Sequence, residues 1–289
     1  MKNTRGIILS GGLGTRLYPI TKALSKQMLP VYNKPMIYYP ISTLMMAGIN
    51  EIQIISNPEH IGAYKKLLGS GKKLGLIFSY KVQNKPEGIA QSILLSSRFV
   101  KDRNFYLILG DNLFYDEDLY QKLIFVSKQV KPYIFLKKVT NPKEYGVANF
   151  NKKNKKLISI IEKPKIIYSR SAVTGLYYYD QEALLIAKKL KPSSRGELEI
   201  SDLNNEYICR GLMKYYNLTK NSIWLDMGSH DKLLQASIII KDLETIRGVK
   251  IGNLEEIAYK KKFINKRDFL NLLDGYNSLY FTKLKDKYS

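Results

Sequence analysis

The sequence predicts an α/β fold, a mostly parallel mixed sheet flanked by helices. Two observations carry that expectation. Short apolar runs alternate with helix-length segments through the first part of the chain, the order that builds a parallel sheet covered on both faces. Two of those runs end in glycine turns, Gly11-Gly12-Leu13-Gly14 and Gly110-Asp111-Asn112. In such sheets the ligand crevice lies at the carboxyl ends of the strands.

Taken in order, Gly6–Ser10 reads as a strand and Pro40–Ala47 as a helix. Strand Glu51–Ser56, helix Glu59–Leu68, strand Leu76–Tyr80 and helix Ile89–Phe99 follow. Phe105–Leu109 is a strand whose end carries Asp111. The second half is more mixed. Tyr133–Lys138, Gly146–Phe150, Leu157–Ile161 and Val173–Tyr179 read as strands, with the polar NKKNKK run as a hairpin turn. Helices are expected over Gln181–Leu190, Glu199–Arg210 and His230–Leu243, then short helices and charged loops to the end. There is no internal repeat and no low-complexity linker.

A chain of 289 residues buries roughly three quarters of its unfolded surface, so it needs no staples. The single Cys209 cannot form an intrachain disulfide and reads as a buried small hydrophobe. The start has no signal-peptide shape, and no apolar run reaches the ~20 residues of a membrane span. A reducing cytoplasm fits. The net charge of +22 raises nucleic acid, anionic membrane or phosphate-rich ligands as partners. The lysines are spread through many loops instead of one tract, which fits an A/T-rich codon bias. No helix-turn-helix, zinc-finger or RNP-type signature accompanies the charge, so neither nucleic acid nor membrane is expected as a partner.

The first glycine turn needs a reason, because glycine costs order. A tight turn into a helix is one. A loop whose bare N–H groups hold phosphate, with Arg16 aimed at the same charge, is the other. The P-loop pattern fails, since Gly12-Leu13 follow where Lys-Ser/Thr are required. The dinucleotide fingerprint fails too, with Leu17 in place of its third glycine. Asp111 and Asp226 each follow an apolar strand. Either could cap a helix; as a pair beside a phosphate loop they suit Mg²⁺, which prefers oxygen ligands and keeps substrate phosphate among them. Two histidines, His60 and His230, make a structural zinc site a poor fit. Pro164 ends the strand before it and leaves Lys163 at a fixed place. Gln83, between a strand and a glycine turn, carries an amide that can meet a pyrimidine edge with donor and acceptor.

Together these residues form a pattern. Residues 7–40, IILSGGLGTRLYPITKALSKQMLPVYNKPMIYYP, resemble the signature of the sugar-1-phosphate nucleotidylyltransferases. YKVQNKPEGIAQ, LILGDNLFY, NPKEYGVANF, IIEKP, AVTGLYYYD, RGELEISDLN and WLDMGSH narrow the resemblance to those that join dTTP to glucose 1-phosphate. It runs in the right order over roughly residues 5–270. It implies a Rossmann-like core with a nucleotide-binding half (1–130), a sugar-phosphate half (131–230) and a C-terminal helical segment (231–289). It implies that Gly11, Gly12, Gly14 and Thr15 cradle the dTTP phosphates, that Arg16 and Lys26 neutralise them, and that Gln83 and Gly88 hold the base. Asp111 and Asp226 would hold Mg²⁺, and Lys163 would grip the sugar phosphate. Asn112, Gly146, Glu162 and Val173 would line the sugar pocket, with Tyr145, Arg195 and Trp224 as neighbours. A homotetramer and a place at the start of dTDP-sugar synthesis, such as dTDP-rhamnose for surface polysaccharide, are also implied. UTP or another sugar phosphate is the nearest alternative.

Four positions depart from the resemblance. Ser10 stands where alanine is usual, and Met227 where a small hydroxyl residue follows the second Asp. Asp116-Glu117 replaces Gly-His near the family's second, regulatory nucleotide site. Two added carboxylates there would repel a nucleotide, which predicts poor feedback inhibition.

Overall fold

In a computed structural model of the chain, which describes residues 4–151, 153–274 and 278–288, the first strand sets the frame. β1 (Arg5–Leu9) is followed by a small hairpin, β2 (Pro30–Val31) with β3 (Lys34–Pro35), and by helix α1 (Tyr38–Met46). Pro40 is accommodated in the first turn of α1, where its missing N–H costs nothing. β4 (Glu51–Ser56), α2 (Ile61–Leu68), β5 (Ile77–Val82), α3 (Gln91–Leu95) and β6 (Phe105–Leu109) complete the alternating part. β1 pairs in parallel with β4 and with β6, and β4 with β5. The strands are apolar almost throughout because helices cover both faces. Successive residues of β1 show it: Ile8 packs in one core with Ile41, Ile54 and Ile108, and Ile7 in the opposite core with Ile55 and Leu107.

The chain then adds β7 (Asn112–Tyr115), α4 (Glu117–Val126), β8 (Tyr133–Lys138), β9 (Gly146–Phe150), β10 (Leu157–Glu162) and β11 (Ser171–Tyr179). β11 lies antiparallel to β6, so one sheet continues past residue 130 in the order β10-β9-β11-β6-β1-β4-β5. β8 pairs with β11 off that path. Helices α5 (Glu182–Ala187) and α6 (Ile200–Cys209) precede β12 (Lys214–Asn217), parallel to β8, and β13 (Ile223–Asp226), antiparallel to β7. α7 (His230–Arg247), α8 (Leu254–Lys260), α9 (Lys266–Asp274) and α10 (Leu279–Tyr288) follow. The β7–β13 ribbon packs with α7 and the small hairpin around Val31, Leu113, Met227 and Ile240.

Several expectations change in detail. The helix expected over Ile89–Phe99 is regular only through Gln91–Leu95, and turns carry the chain beyond it. α7 runs on to Arg247. α4 was not read from the sequence, although Asp116 caps it and Leu119, Leu123 and Val126 repeat at helical spacing. Cys209 is exposed, which corrects its expected burial. It closes α6 on the outer face, while Leu203, Asn204 and Tyr207 take the inner one. Lys152 of the expected hairpin turn and residues 275–277 and 289 of the expected tail lie outside the described residues. No described helix is long and apolar enough to cross a membrane.

Candidate active site

Register brings the two glycine turns together. Leu9 is paired with Leu109 across β1 and β6, and Gly110 donates its N–H to the Leu9 carbonyl at 2.9 Å. The loops that leave both strands therefore open on one side of the sheet. Gly11 is bare because Gln83 lies over it: a β-carbon there would stand 1.9 Å from Gln83 Oε1. Gly14 has φ 65° and leads into a single 3-10 turn, Thr15–Leu17, that buries Leu17 and leaves Arg16 exposed. Gly12 has open space around it. Gly88, at φ 100°, would bring a β-carbon within 2.5 Å of the Leu198 carbonyl oxygen. Gln83 is buried, and its Nε2 donates to Gln91 Oε1 at 2.6 Å. Gln91 Nε2 in turn donates to Glu87 Oε2 at 2.6 Å.

Asp111 and Asp226 face the same cleft. Asn112 and Asp226 are opposite partners in the β7–β13 ribbon, and the Met227 N–H donates to the Asp111 carbonyl at 3.1 Å. Burial works against the charge of Asp111, but Lys26 Nζ at 2.5 Å and the Asn112 amide at 2.9 Å outweigh it and hold the carboxyl below its usual range. Burial, then the charge of Asp111, pushes Asp226 upward despite Lys232. A pair of carboxylates in one cleft, one of which makes the other harder to ionise, fits a hard dication. Two are fewer than an all-protein cage needs, so phosphate and water would complete the set. No group of three or more His, Cys, Asp or Glu with metal-holding geometry occurs among the described residues. Met227, next to Asp226 in the chain, is fully buried and packs in the cluster of Val31, Leu113 and Ile240.

The sugar-side residues converge on a cavity of about 200 Å³. Asn112, Tyr145, Gly146, Glu162, Lys163, Val173 and Trp224 line it, together with Arg16, Asp111 and Asp226. The Asn112 amide is fixed on three sides. Its Oδ1 accepts from Trp224 Nε1 at 2.6 Å and from the Gly175 N–H at 3.2 Å, and its Nδ2 holds Asp111. Gly146 pairs with Glu162 across β9 and β10, and a β-carbon on it would come 3.0 Å from Glu162 Oε2. Burial raises the Glu162 pKa, against the pull of Lys163. Lys163 stands exposed at the rim with φ 42°, its N–H tied to the Tyr145 carbonyl at 3.0 Å. Arg195 does not line the cavity. Its guanidinium holds Glu199 with bonds of 2.8 and 2.9 Å and reaches Glu162 only at 3.8 Å.

Of the residues expected to take the nucleotide, Gly11, Gly12, Gly14, Thr15, Gln83 and Gly88 do not line that cavity, and Lys26 reaches it through Asp111. The sequence reading missed Gly175, Gln91, Glu144 and Lys232. A glycine inside an apolar strand was a usable signal for Gly175, since it marks close approach of another group. Gln91 is within eight residues of Gln83 and Glu87, but nothing in that stretch marks it apart from other polar residues; Lys232 holds Glu144 and Tyr145 from 88 and 87 positions away and left no local signal.

Residues 5–242 match the nucleotidyl transferase family model. The glucose-1-phosphate thymidylyltransferase of Neisseria meningitidis serogroup A is 46% identical over 262 residues, 90% of this chain and 91% of that one. The enzyme of the same name from Mycolicibacterium smegmatis is 45% identical over 261 residues, 90% of each. Among solved structures, a Bacillus anthracis protein assigned as a glucose-1-phosphate thymidylyltransferase, in complex with a sucrose, superposes with a TM-score of 0.76 at 43% identity. The match covers 83% of this chain and 96% of that one. A UDP-glucose pyrophosphorylase complexed with UDP-glucose shares the fold, with a TM-score of 0.73 at 24% identity, covering 83% of this chain and 99% of that one. With most of its length matched by one model and nine tenths by these relatives, the chain belongs to the nucleotidyl transferase family.

Proposed function

We infer that the chain transfers a thymidylyl group from dTTP to glucose 1-phosphate, giving dTDP-glucose and pyrophosphate. The observation that carries this is the match over nine tenths of the chain to relatives of that name. The cleft supports it, because it sets a glycine loop, a carboxylate pair and a polar pocket side by side. A phosphate oxygen of the sugar attacks the α-phosphorus of dTTP, and pyrophosphate leaves. The nucleophile is already an anion, so no general base is required. The obstacle is holding two polyanions in line. Positioning and charge neutralisation supply most of such catalysis, and alignment alone contributes on the order of 7–11 kcal/mol.

Arg16 and Lys26 take the triphosphate over the bare N–H groups of Gly11–Thr15. Gln83 and Gly88 hold the base. Lys163 takes the sugar phosphate, and Asn112, Gly146, Glu162 and Val173 hold the sugar, with Tyr145 and Trp224 as its outer wall. Arg195 serves this pocket at one remove, by holding Glu199 beside Glu162. A divalent ion held by Asp111 and Asp226, Mg²⁺ in this reading, would neutralise phosphate oxygens. Assembly as a homotetramer, work in the cytoplasm and entry into dTDP-sugar synthesis belong to the same reading and rest on the family resemblance. Weak feedback inhibition also belongs to it: Asp116 caps α4 and accepts from Ser222, and Glu117 is exposed beside it.

The test is direct. Pure protein, Mg²⁺ and glucose 1-phosphate are incubated with dTTP, UTP, ATP, GTP and CTP in turn, and pyrophosphate is measured. Release with dTTP that falls by orders of magnitude in Asp111→Asn and Asp226→Asn, both still folded, is the expected result. No release with any nucleotide would end the reading.

A further inference from the structure

Lys232 is the third residue of α7, in a first turn where the helix dipole favours anions over cations. Its partners lie off the helix. Nζ is 2.6 Å from Glu144 Oε2, 3.0 Å from Tyr145 Oη and 3.3 Å from Asp226 Oδ2, so three ammonium hydrogens meet three oxygens. The same ammonium stands 5.2 Å from the centre of the Tyr145 ring. Two of these partners belong to the turn that enters β9, the third to the end of β13. The Tyr145 ring leans on Trp224 with centroids 5.2 Å apart, and Trp224 Nε1 is bonded to Asn112. One lysine therefore fastens a turn whose aromatic ring props the outer wall of the cleft. As a stabilising element the pair counts for little, since Lys232 is 31% and Glu144 43% exposed.

We propose that Lys232 is a positioning residue for the sugar-phosphate pocket: it ties the Glu144–Tyr145 turn to α7 and so holds Tyr145 and Trp224 in one place. The kinetic part rests on the function inferred above; the structural part does not. The chain has one tryptophan, so emission from Trp224 reports the wall with no substrate present. Lys232→Met is expected to shift that emission and to raise its quenching by acrylamide, with little change in melting temperature. It is expected to raise KM for glucose 1-phosphate about tenfold, kcat less, and to leave the dTTP Kd unchanged. Lys232→Arg, which keeps the charge, is expected to restore emission and KM toward the parent. A folded Lys232→Met with parental emission and quenching overturns the proposal, whatever its kinetics. A changed emission with parental KM overturns it as well. If the parent transfers no nucleotide, that result falls on the functional reading, and the emission measurements decide this proposal alone.

Discussion

At the scale of single residues, the proposed function divides the cations of the cleft by the elements that carry them. Lys163 leaves β10 with a left-handed φ of 42°, a conformation that costs a non-glycine residue on the order of 1–3 kcal/mol and persists only where the surroundings impose it. Arg16 comes from the first loop. Lys163→Ala is expected to raise KM for glucose 1-phosphate and Arg16→Ala to weaken dTTP, each by roughly 1.5–3 kcal/mol, as for a lost charge-assisted bond. Titration calorimetry of dTTP beside steady-state kinetics separates the two; a Lys163→Ala enzyme that lost dTTP with its sugar KM intact would reverse the assignment. Glu162 adds a pH dependence. Burial raises its pKa above the ordinary 4.5, so on acidification it takes a proton while ordinary glutamates are still charged. KM for glucose 1-phosphate is expected to rise from a pH above the usual carboxylate range. The substrate's own phosphate titrates too, so the comparison is with Glu162→Gln, in which the protein's share of that limb should be missing. These residues were legible because they sit in short motifs. Lys232 was not, since its partners are 6 to 88 positions away.

At the scale of elements, the alternating first half was legible because apolar strands and turn glycines are local signals. Glu51–Ser56 and Phe105–Leu109 have the bounds expected of them. The β7–β13 ribbon was harder. Its strands have four residues each, and their paired residues lie 108 positions apart along the chain at Tyr115 and Ile223 and 114 at Asn112 and Asp226. No local pattern announces such a pairing, yet it is what sets Asp226 beside Asp111. The expected helix after Gly88 is short for a different reason: its regular bonding closes at Ser96, whose N–H donates to the Leu94 and Ser92 carbonyls, and turns follow. Its approach loop needs a glycine, with Gly88 at φ 100° against the Leu198 backbone. Gly88→Ala meets backbone atoms that cannot swing aside, and is expected to cost on the order of 1–3 kcal/mol of stability with a loss of dTTP affinity. Chemical denaturation and dTTP titration check both; unchanged values would mean that the loop has room.

At the scale of the whole molecule, the charge of +22 is spread over many elements and partly committed inside the fold. Lys34 pairs with Glu244 at 2.9 Å with both side chains buried, and Lys137 caps the carbonyls of Thr219 and Ser222 at 2.6 and 2.7 Å. Composition revealed the sign of the surface and nothing of these internal uses. Duplex DNA is expected to bind weakly and to dissociate as salt rises toward physiological strength, since spread charge gives affinity through counterion release alone. Fluorescence anisotropy across a salt series measures this. A complex that survives physiological salt and prefers one sequence would point to a nucleic-acid role.

In the proposed base site, the relay behind Gln83 would decide which letters of the genetic alphabet fit. Glu87 is a carboxylate and can only accept, so Gln91 must turn its NH₂ there and its oxygen toward Gln83. Gln83 must then spend its own NH₂ on Gln91 and leave its carbonyl oxygen toward the Gly11 loop. A fixed acceptor asks for a ring N–H. Thymine and uracil both have one at N3, whereas cytosine has a lone pair there. CTP is therefore expected to be rejected by about 10²-fold or more in kcat/KM, with dTTP and UTP separated far less by this contact. Glu87→Gln removes the carboxylate from this relay and leaves only the main-chain N–H of residue 87, at 3.2 Å, to orient Gln91; it should let more CTP in while it costs the two imide bases some of their advantage.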